Sequence, residues 1–186
     1  MATRSEPDWR HVLVRSYADL FLPCGEPQHA PAWPNVGDGW ERLLERACRR
    51  IRKAATADGQ PFRLTSIAEK YGTLRIQWEG ALTPAAAAKV EEAVDLAEAR
   101  STTTCDACGR RGVLRAGAWL VVRCDDHAEG RPAVAFEEGF ENLQVERRLV
   151  GGRLLVSFRF YDRDADRFVG VRNAVSTGRP GRGKDA

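Results

Sequence analysis

The chain has 186 residues, 43% hydrophobic and 30% charged, and its 29 Lys+Arg against 26 Asp+Glu leave a formal charge of +3. That is enough chain to bury a real core, and it is too rich in apolar residues for a wholly disordered protein. The small basic excess carries no mandate for nucleic acid or a membrane surface, and five cysteines are not a secreted disulfide framework.

Trp9, Val12, Leu13, Tyr17, Leu20 and Phe21 share one helical face, which predicts a first helix that Pro23 ends. Residues 23–37, with four prolines and two glycines, read as a loop. Asp38 is expected to cap the next helix, where Trp40, Leu43, Leu44, Ala47, Cys48, Ile51 and Ala55 keep the 3.6-residue period as far as Asp58-Gly59. Two strands follow over 62–69 and 73–79, joined by Lys70-Tyr71-Gly72 with Gly72 suited to positive φ. Thr83-Pro84 opens a third helix. Its stripe is Val90, Ala93, Val94 and Ala97, with Glu91, Glu92, Asp95 and Glu98 expected to face outward. Beyond the cysteine-rich stretch, Leu143–Leu149, Leu154–Phe160 and Arg167–Val171 predict a three-stranded meander, with turns at Gly151-Gly152 and Asp162–Asp166.

The chemistry lies in Cys105-x2-Cys108-x15-Cys124-x2-His127. A two-residue gap lets both side chains of a pair reach one ion, and Gly109 frees the backbone to turn amides toward sulfur. Three soft thiolates and one imidazole suit a closed tetrahedral Zn²⁺ site, which leaves no position for water or substrate and so predicts a structural role. Between the pairs, 113–115 and 118–123 read as a hairpin about Ala116-Gly117, and Asp125 and Asp126 suit the first turn of a short helix. A knuckle, a hairpin and a helix start in this order resemble treble-clef and zinc-ribbon folds. His127-Ala128-Glu129 matches the H-x-E of zinc deaminases. Those enzymes place their CxxC after that motif, whereas here it comes before, and Cys124 would close the metal; Glu129 is read as a solvated helix residue.

Other signals are weaker. The second helix carries Arg42, Arg46, Arg49, Arg50, Arg52 and Lys53 against Glu41 and Glu45, a local +4. Arg42, Arg46, Arg49, Arg50 and Lys53 form either a solvated face, the preferred reading because Glu45 has Arg42 and Arg49 at helical spacing, or a face for phosphate or an acidic partner. Arg110, Arg111, Arg115 and Arg123 either offset the charge of the thiolates, which is preferred, or contact phosphate. Cys24 and His29 make at most half of a second metal site. Cys48 reads as a small core residue and His11 as structural. No nucleophile elbow, Walker loop or dinucleotide fingerprint is present in the sequence.

Gly37-Asp38-Gly39-Trp40, then Glu69-Lys70-Tyr71-Gly72-Thr73-Leu74-Arg75, then Cys105-x2-Cys108-Gly109 with Cys124-Asp125-x-His127 resemble a family of short, uncharacterised bacterial and phage-associated proteins. The resemblance spans residues 20 to 128. It implies the four metal ligands but no activity, and it marks Asp38 as a helix cap, Trp40 as a core anchor and Gly72 as a required turn. Such proteins end near the last ligand, so the meander is an added element, either a sheet extension or a partner-binding surface.

The expected architecture is α+β: helices packed on a small antiparallel sheet, a zinc-stapled hairpin and a C-terminal meander. Residues 1–131 would form the core with a zinc module at 102–131, 132–175 a β-rich extension, and 176–186 a disordered basic tail. No run approaches the ~20 apolar residues of a membrane span, and the N-terminus has no secretory pattern, so a cytoplasmic setting is expected. The expected function is a non-enzymatic zinc-stabilised module for a protein partner, immunity- or antitoxin-like. The alternatives are a nucleic-acid-binding regulator using the helix at 40–55 and an enzyme whose site is scattered along the chain.

Overall fold

The computed structural model describes residues 8–21, 26–136, 142–150 and 153–174. Cys24, the Gly151-Gly152 turn and the tail at 176–186 lie outside these described residues. The chain divides into two units, residues 1–135 and 136–186. The described residues contain three helices and three small antiparallel sheets, a mixed α+β architecture. None of these helices is long and apolar enough to cross a membrane.

The first unit begins with α1 (Trp9–Ser16), whose Asp8 side chain accepts from the Arg10 amide at 3.0 Å as its N-cap. The helix ends well before Pro23. Tyr17 leaves helical geometry, which lets Tyr17, Leu20 and Phe21 all reach the core and presents the Leu20 carbonyl to the Leu64 amide at 2.8 Å. Val12, expected on the apolar face, is exposed. The next segment is tied to α1 by Arg10, which donates to the carbonyls of Pro34 (3.1 Å) and Val36 (2.5 Å).

A short 3-10 turn, Asp38–Trp40, leads into α2 (Glu41–Asp58). Asp38 does not cap this helix. Its carboxylate accepts from Trp9 Nε1 at 3.0 Å and pairs with Arg10 at 2.9 Å, so it pins α1 instead. Leu43, Leu44, Ala47, Cys48, Ile51, Ala54 and Ala55 of α2 are buried. Burial pushes the Cys48 thiol up to about 12, as suits a small core residue. His11 contacts Gln28 at 3.2 Å and lies edge-on to Trp33.

Strands β1 (Phe62–Lys70) and β2 (Thr73–Gly80) form a tight hairpin. Tyr71 and Gly72 both take positive φ, 54° and 78°, the geometry whose twist suits a two-residue hairpin loop. In β2, Leu74 and Ile76 point inward between exposed Arg75 and Gln77. In β1 the simple alternation fails because a bulge between Leu64 and Ser66 lets Leu64 and Ile67, three apart, both face the core.

Both outer edges of this hairpin are covered. Leu20 and Asn35 bond to β1, the latter through its amide to the Ile67 carbonyl at 3.1 Å. Along β2, Ser101 Oγ accepts from the Leu74 amide at 2.9 Å and Glu98 accepts from the Ile76 amide at 3.2 Å. Both side chains come from α3 (Pro84–Ser101), which packs against α2 and β2. Glu98 therefore turns inward rather than outward as expected, held also by Arg75 at 3.3 Å, and burial pushes its carboxyl above the usual range. Thr83 caps α3 and is itself held by Asp58. Val90, Ala93, Val94 and Ala97 complete the core with α1, α2 and the hairpin.

In the second unit, β5 (Leu143–Val150), β6 (Arg153–Asp162) and β7 (Arg167–Ala174) form an antiparallel sheet in the order β5-β6-β7. Asp162 closes the 163–166 turn by accepting from the amides of Asp164 (2.9 Å) and Ala165 (3.0 Å). Tyr161 is buried, donates to Asp166 at 2.5 Å and meets Phe168 edge-on.

Candidate metal centre

The site is built directly on the end of α3. Ser101 to Thr104 all return their hydroxyls to carbonyls of that helix's last turn, for example Thr104 to Arg100 at 2.8 Å, and so stop the helix where the first cysteine pair begins. The hairpin β3 (Val113–Arg115) and β4 (Val121–Arg123) then leads to a 3-10 turn, Asp125–His127. Val134 donates to the Leu114 carbonyl at 2.9 Å, so the chain after the last histidine runs back beside β3.

This path brings together the four residues singled out by spacing. One donor atom each from Cys105, Cys108, Cys124 and His127 lies within 4.8 Å of all the others, an arrangement that can hold a metal ion. Sγ of Cys108 is 3.7 Å from Sγ of Cys124, and His127 Nδ1 is 3.8 Å from Sγ of Cys105 and 3.1 Å from Sγ of Cys124. Cys105 is buried and Cys108 is at the surface.

Main-chain amides converge on the sulfurs. Those of Cys124, Ala107 and Cys108 point at Cys105, that of Arg110 at Cys108, and that of His127 at Cys124. Gly109, at φ 76°, gives the backbone the turn this needs. Burial pushes the Cys105 thiol up. At Cys108, which is exposed, a residual desolvation is outweighed by the Arg110 amide and guanidinium and by the neighbouring thiols, which bring it down to about 6. Cys124 is lowered too, because its bonds with His127 outweigh desolvation, and the same contact raises His127.

The four arginines divide by role. Arg110 donates to Cys124 Sγ at 3.7 Å and pairs with Asp126, so its charge faces the cysteine sulfurs. Arg115 is buried and works as a clasp, donating to the carbonyls of Arg123 (3.1 Å) and Arg131 (3.0 Å) and to Asp125 (2.5 Å). Arg123 pairs with Asp106 and with Glu129 at 3.3 Å, while Arg111 is exposed. Glu129 is not helical: it follows the 3-10 turn at φ 51°.

The seat of the knuckle was not legible from the cysteine spacing. The 37–40 segment lies directly against it. Gly39 donates to the Asp106 carbonyl at 2.7 Å, and Trp40, fully buried, donates Nε1 to the Thr104 carbonyl at 3.0 Å. A Cβ on Gly39 would stand 2.3 Å from the Cys105 carbonyl oxygen and 2.4 Å from the Gly109 nitrogen, so no larger residue fits. Gly72 meets the other side of the module, where a Cβ would come within 2.9 Å of Leu114. The three motif segments, far apart in sequence, thus converge on one zone.

The basic face of α2 is only partly drawn toward this zone. Arg42 and Arg46 line a cavity beside the knuckle, whereas Arg49, Arg50 and Lys53 lie further along the helix. His29 stands on a separate 3-10 turn.

No family model, curated protein or solved structure matches the chain.

Proposed function

We propose that the protein is a non-enzymatic interaction module whose fold is stapled by one structural Zn²⁺ on Cys105, Cys108, Cys124 and His127. The observation that carries this reading is the donor set: four side chains supply four donors, which fills a tetrahedral ion and leaves no position for a reacting water. Tetrahedral zinc, with Zn–S near 2.3 Å and Zn–N near 2.0–2.1 Å, sets its donor atoms roughly 3.6–3.8 Å apart. The separations of 3.7 Å (Cys108–Cys124) and 3.8 Å (Cys105–His127) are close to that, Cys124–His127 at 3.1 Å is shorter and would open on metal binding, and three thiolates favour zinc over harder divalent ions.

The partner is a protein. Trp119 and Tyr71 are 76% and 71% exposed on neighbouring turns, joined where Gly72 packs on Leu114 and Leu120. Large exposed aromatics near a rigid metal-held hairpin are what binding surfaces present. The resemblance to phage-associated proteins supports a neutralising, immunity- or antitoxin-like role in the cytoplasm. A second reading, regulation through nucleic acid, draws on the arginines of α2.

Metal analysis of purified protein should give about one zinc per chain. Cys105→Ser should lose the metal and the order of the 102–134 segment; loss of metal with an unchanged unfolding transition would remove the structural role. A pull-down from host extract should recover a defined protein whose capture fails with Trp119→Ser. Recovery of nucleic acid alone would decide for the second reading.

A further inference from the structure

Arg42 and Arg46 meet two further arginines that lie far away in sequence. A cavity of about 540 Å³ opens between the start of α2, the end of α3 and the metal knuckle, and Arg42, Arg46, Arg100 and Arg110 line it from these three elements. Two carboxylates, Asp38 and Glu41, share the lining. Asp38 is already engaged by Trp9 and Arg10, so its charge is largely spent on α1. Arg110 is fixed on the rim by Asp126 and by Cys124 Sγ at 3.7 Å.

We propose that this cavity is a phosphate-binding site. Guanidinium groups present planar forks of N–H donors that match anionic oxygens in pairs, and four of them around one volume suit a group with several such oxygens. The start of α2 adds the positive end of a helix dipole to the same space. The cavity is open to solvent, so a phosphate held on the arginines can carry a sugar and base outward from it. The ligand is therefore a nucleotide or a segment of nucleic-acid backbone, and both offer the same chemistry to the arginines. This inference goes beyond the interaction module and does not depend on a protein partner.

Calorimetric titration of the full, metal-loaded chain at low salt tests it with three probes: inorganic phosphate, adenosine monophosphate and a single-stranded oligothymidylate. At least one of the two nucleotide probes should bind, and more tightly than phosphate. Saturable binding of the monophosphate identifies a nucleotide site. Binding of the oligonucleotide alone, its affinity falling steeply with salt, identifies backbone recognition. Arg42→Gln/Arg46→Gln should weaken the binding by about tenfold or more, and Arg42→Gln alone, at an exposed side chain, severalfold. Arg49→Gln/Lys53→Gln, on the same helix but outside the cavity, should change it by less than about twofold. Metal content and circular dichroism should match the parent in each variant; if the double variant fails that check, Arg42→Gln alone decides. The proposal is overturned if none of the probes binds, or if the control pair weakens binding as much as the cavity pair.

Discussion

Gly39 shows how strictly single positions are set around the candidate metal centre. Its α-carbon faces main-chain atoms of the knuckle, 2.3 Å to the Cys105 oxygen for any added Cβ, and main chain cannot swing aside as a side-chain tip can. Gly39→Ala should therefore displace the knuckle, weaken metal affinity and cost about 1–3 kcal/mol or more, measured by chelator competition and chemical denaturation. The same change at Gly59, where an added Cβ meets nothing within 4 Å, should leave metal affinity alone. Asp38 makes a prediction about pH. Hydrogen bonds from Trp9 and Arg10 hold its carboxyl below the usual aspartate range, so the folded state favours the charged form. That contribution is fully present above the unfolded-state value and is lost as pH falls through the lowered folded one. In Asp38→Asn the acid side of the stability profile should be shallower, by no more than about 1 kcal/mol because the side chain is 73% exposed. Denaturation curves from neutral to acid pH would measure it.

Among the elements, the β1–β2 hairpin needs the most outside help. Two strands alone are marginal in water, and their open edges invite pairing with other chains. Here the outward amides of Leu74 and Ile76 are taken by Ser101 and Glu98, so α3 both covers and closes the β2 edge. Ser101 is fully buried, and Ser101→Ala should strand the Leu74 amide at a cost of about 1–3 kcal/mol. Hydrogen exchange should show the Leu74 amide losing protection first, ahead of global unfolding. Glu98→Gln keeps an acceptor for Ile76 and should cost less than Glu98→Ala. This arrangement also explains why α3 misled a reading by periodicity. Glu98 stands among acidic neighbours on an outward-looking stripe, yet it bends inward to a strand that sequence spacing cannot place.

For the whole molecule, the hydrophobic cluster and the candidate metal centre belong to one unit, residues 1–135. A fragment ending at residue 135 should fold cooperatively, retain its metal and keep the denaturation midpoint of that unit in the full chain. A fragment that failed to fold or bind metal would show that residues 136–186 are required for the first unit. If the cluster holds the proposed zinc, chelation should melt the 102–134 segment before α2 and α3, because that segment would then rest on the metal and a few clasps such as Arg115, whereas the helices share a core.

Local pattern was enough to determine the types and order of the main helices and strands, the four residues of the Cys/His cluster, the turn at Gly72 and the burial of Trp40. Each of these follows from spacing along a few consecutive turns or strands: a 3.6-residue stripe, an alternation of two, or two residues between ligands. Only the tertiary structure decided that α1 stops at Ser16, that Asp38 serves α1 rather than capping α2, and that Glu98 faces a strand. It also decided that Gly39 and Gly72 floor the metal hairpin, and that Arg100 joins the arginines of α2. In each of these cases the deciding atom lies far away along the chain, where neither propensity nor periodicity reaches, and its position is set by how the helices and hairpins close on one another.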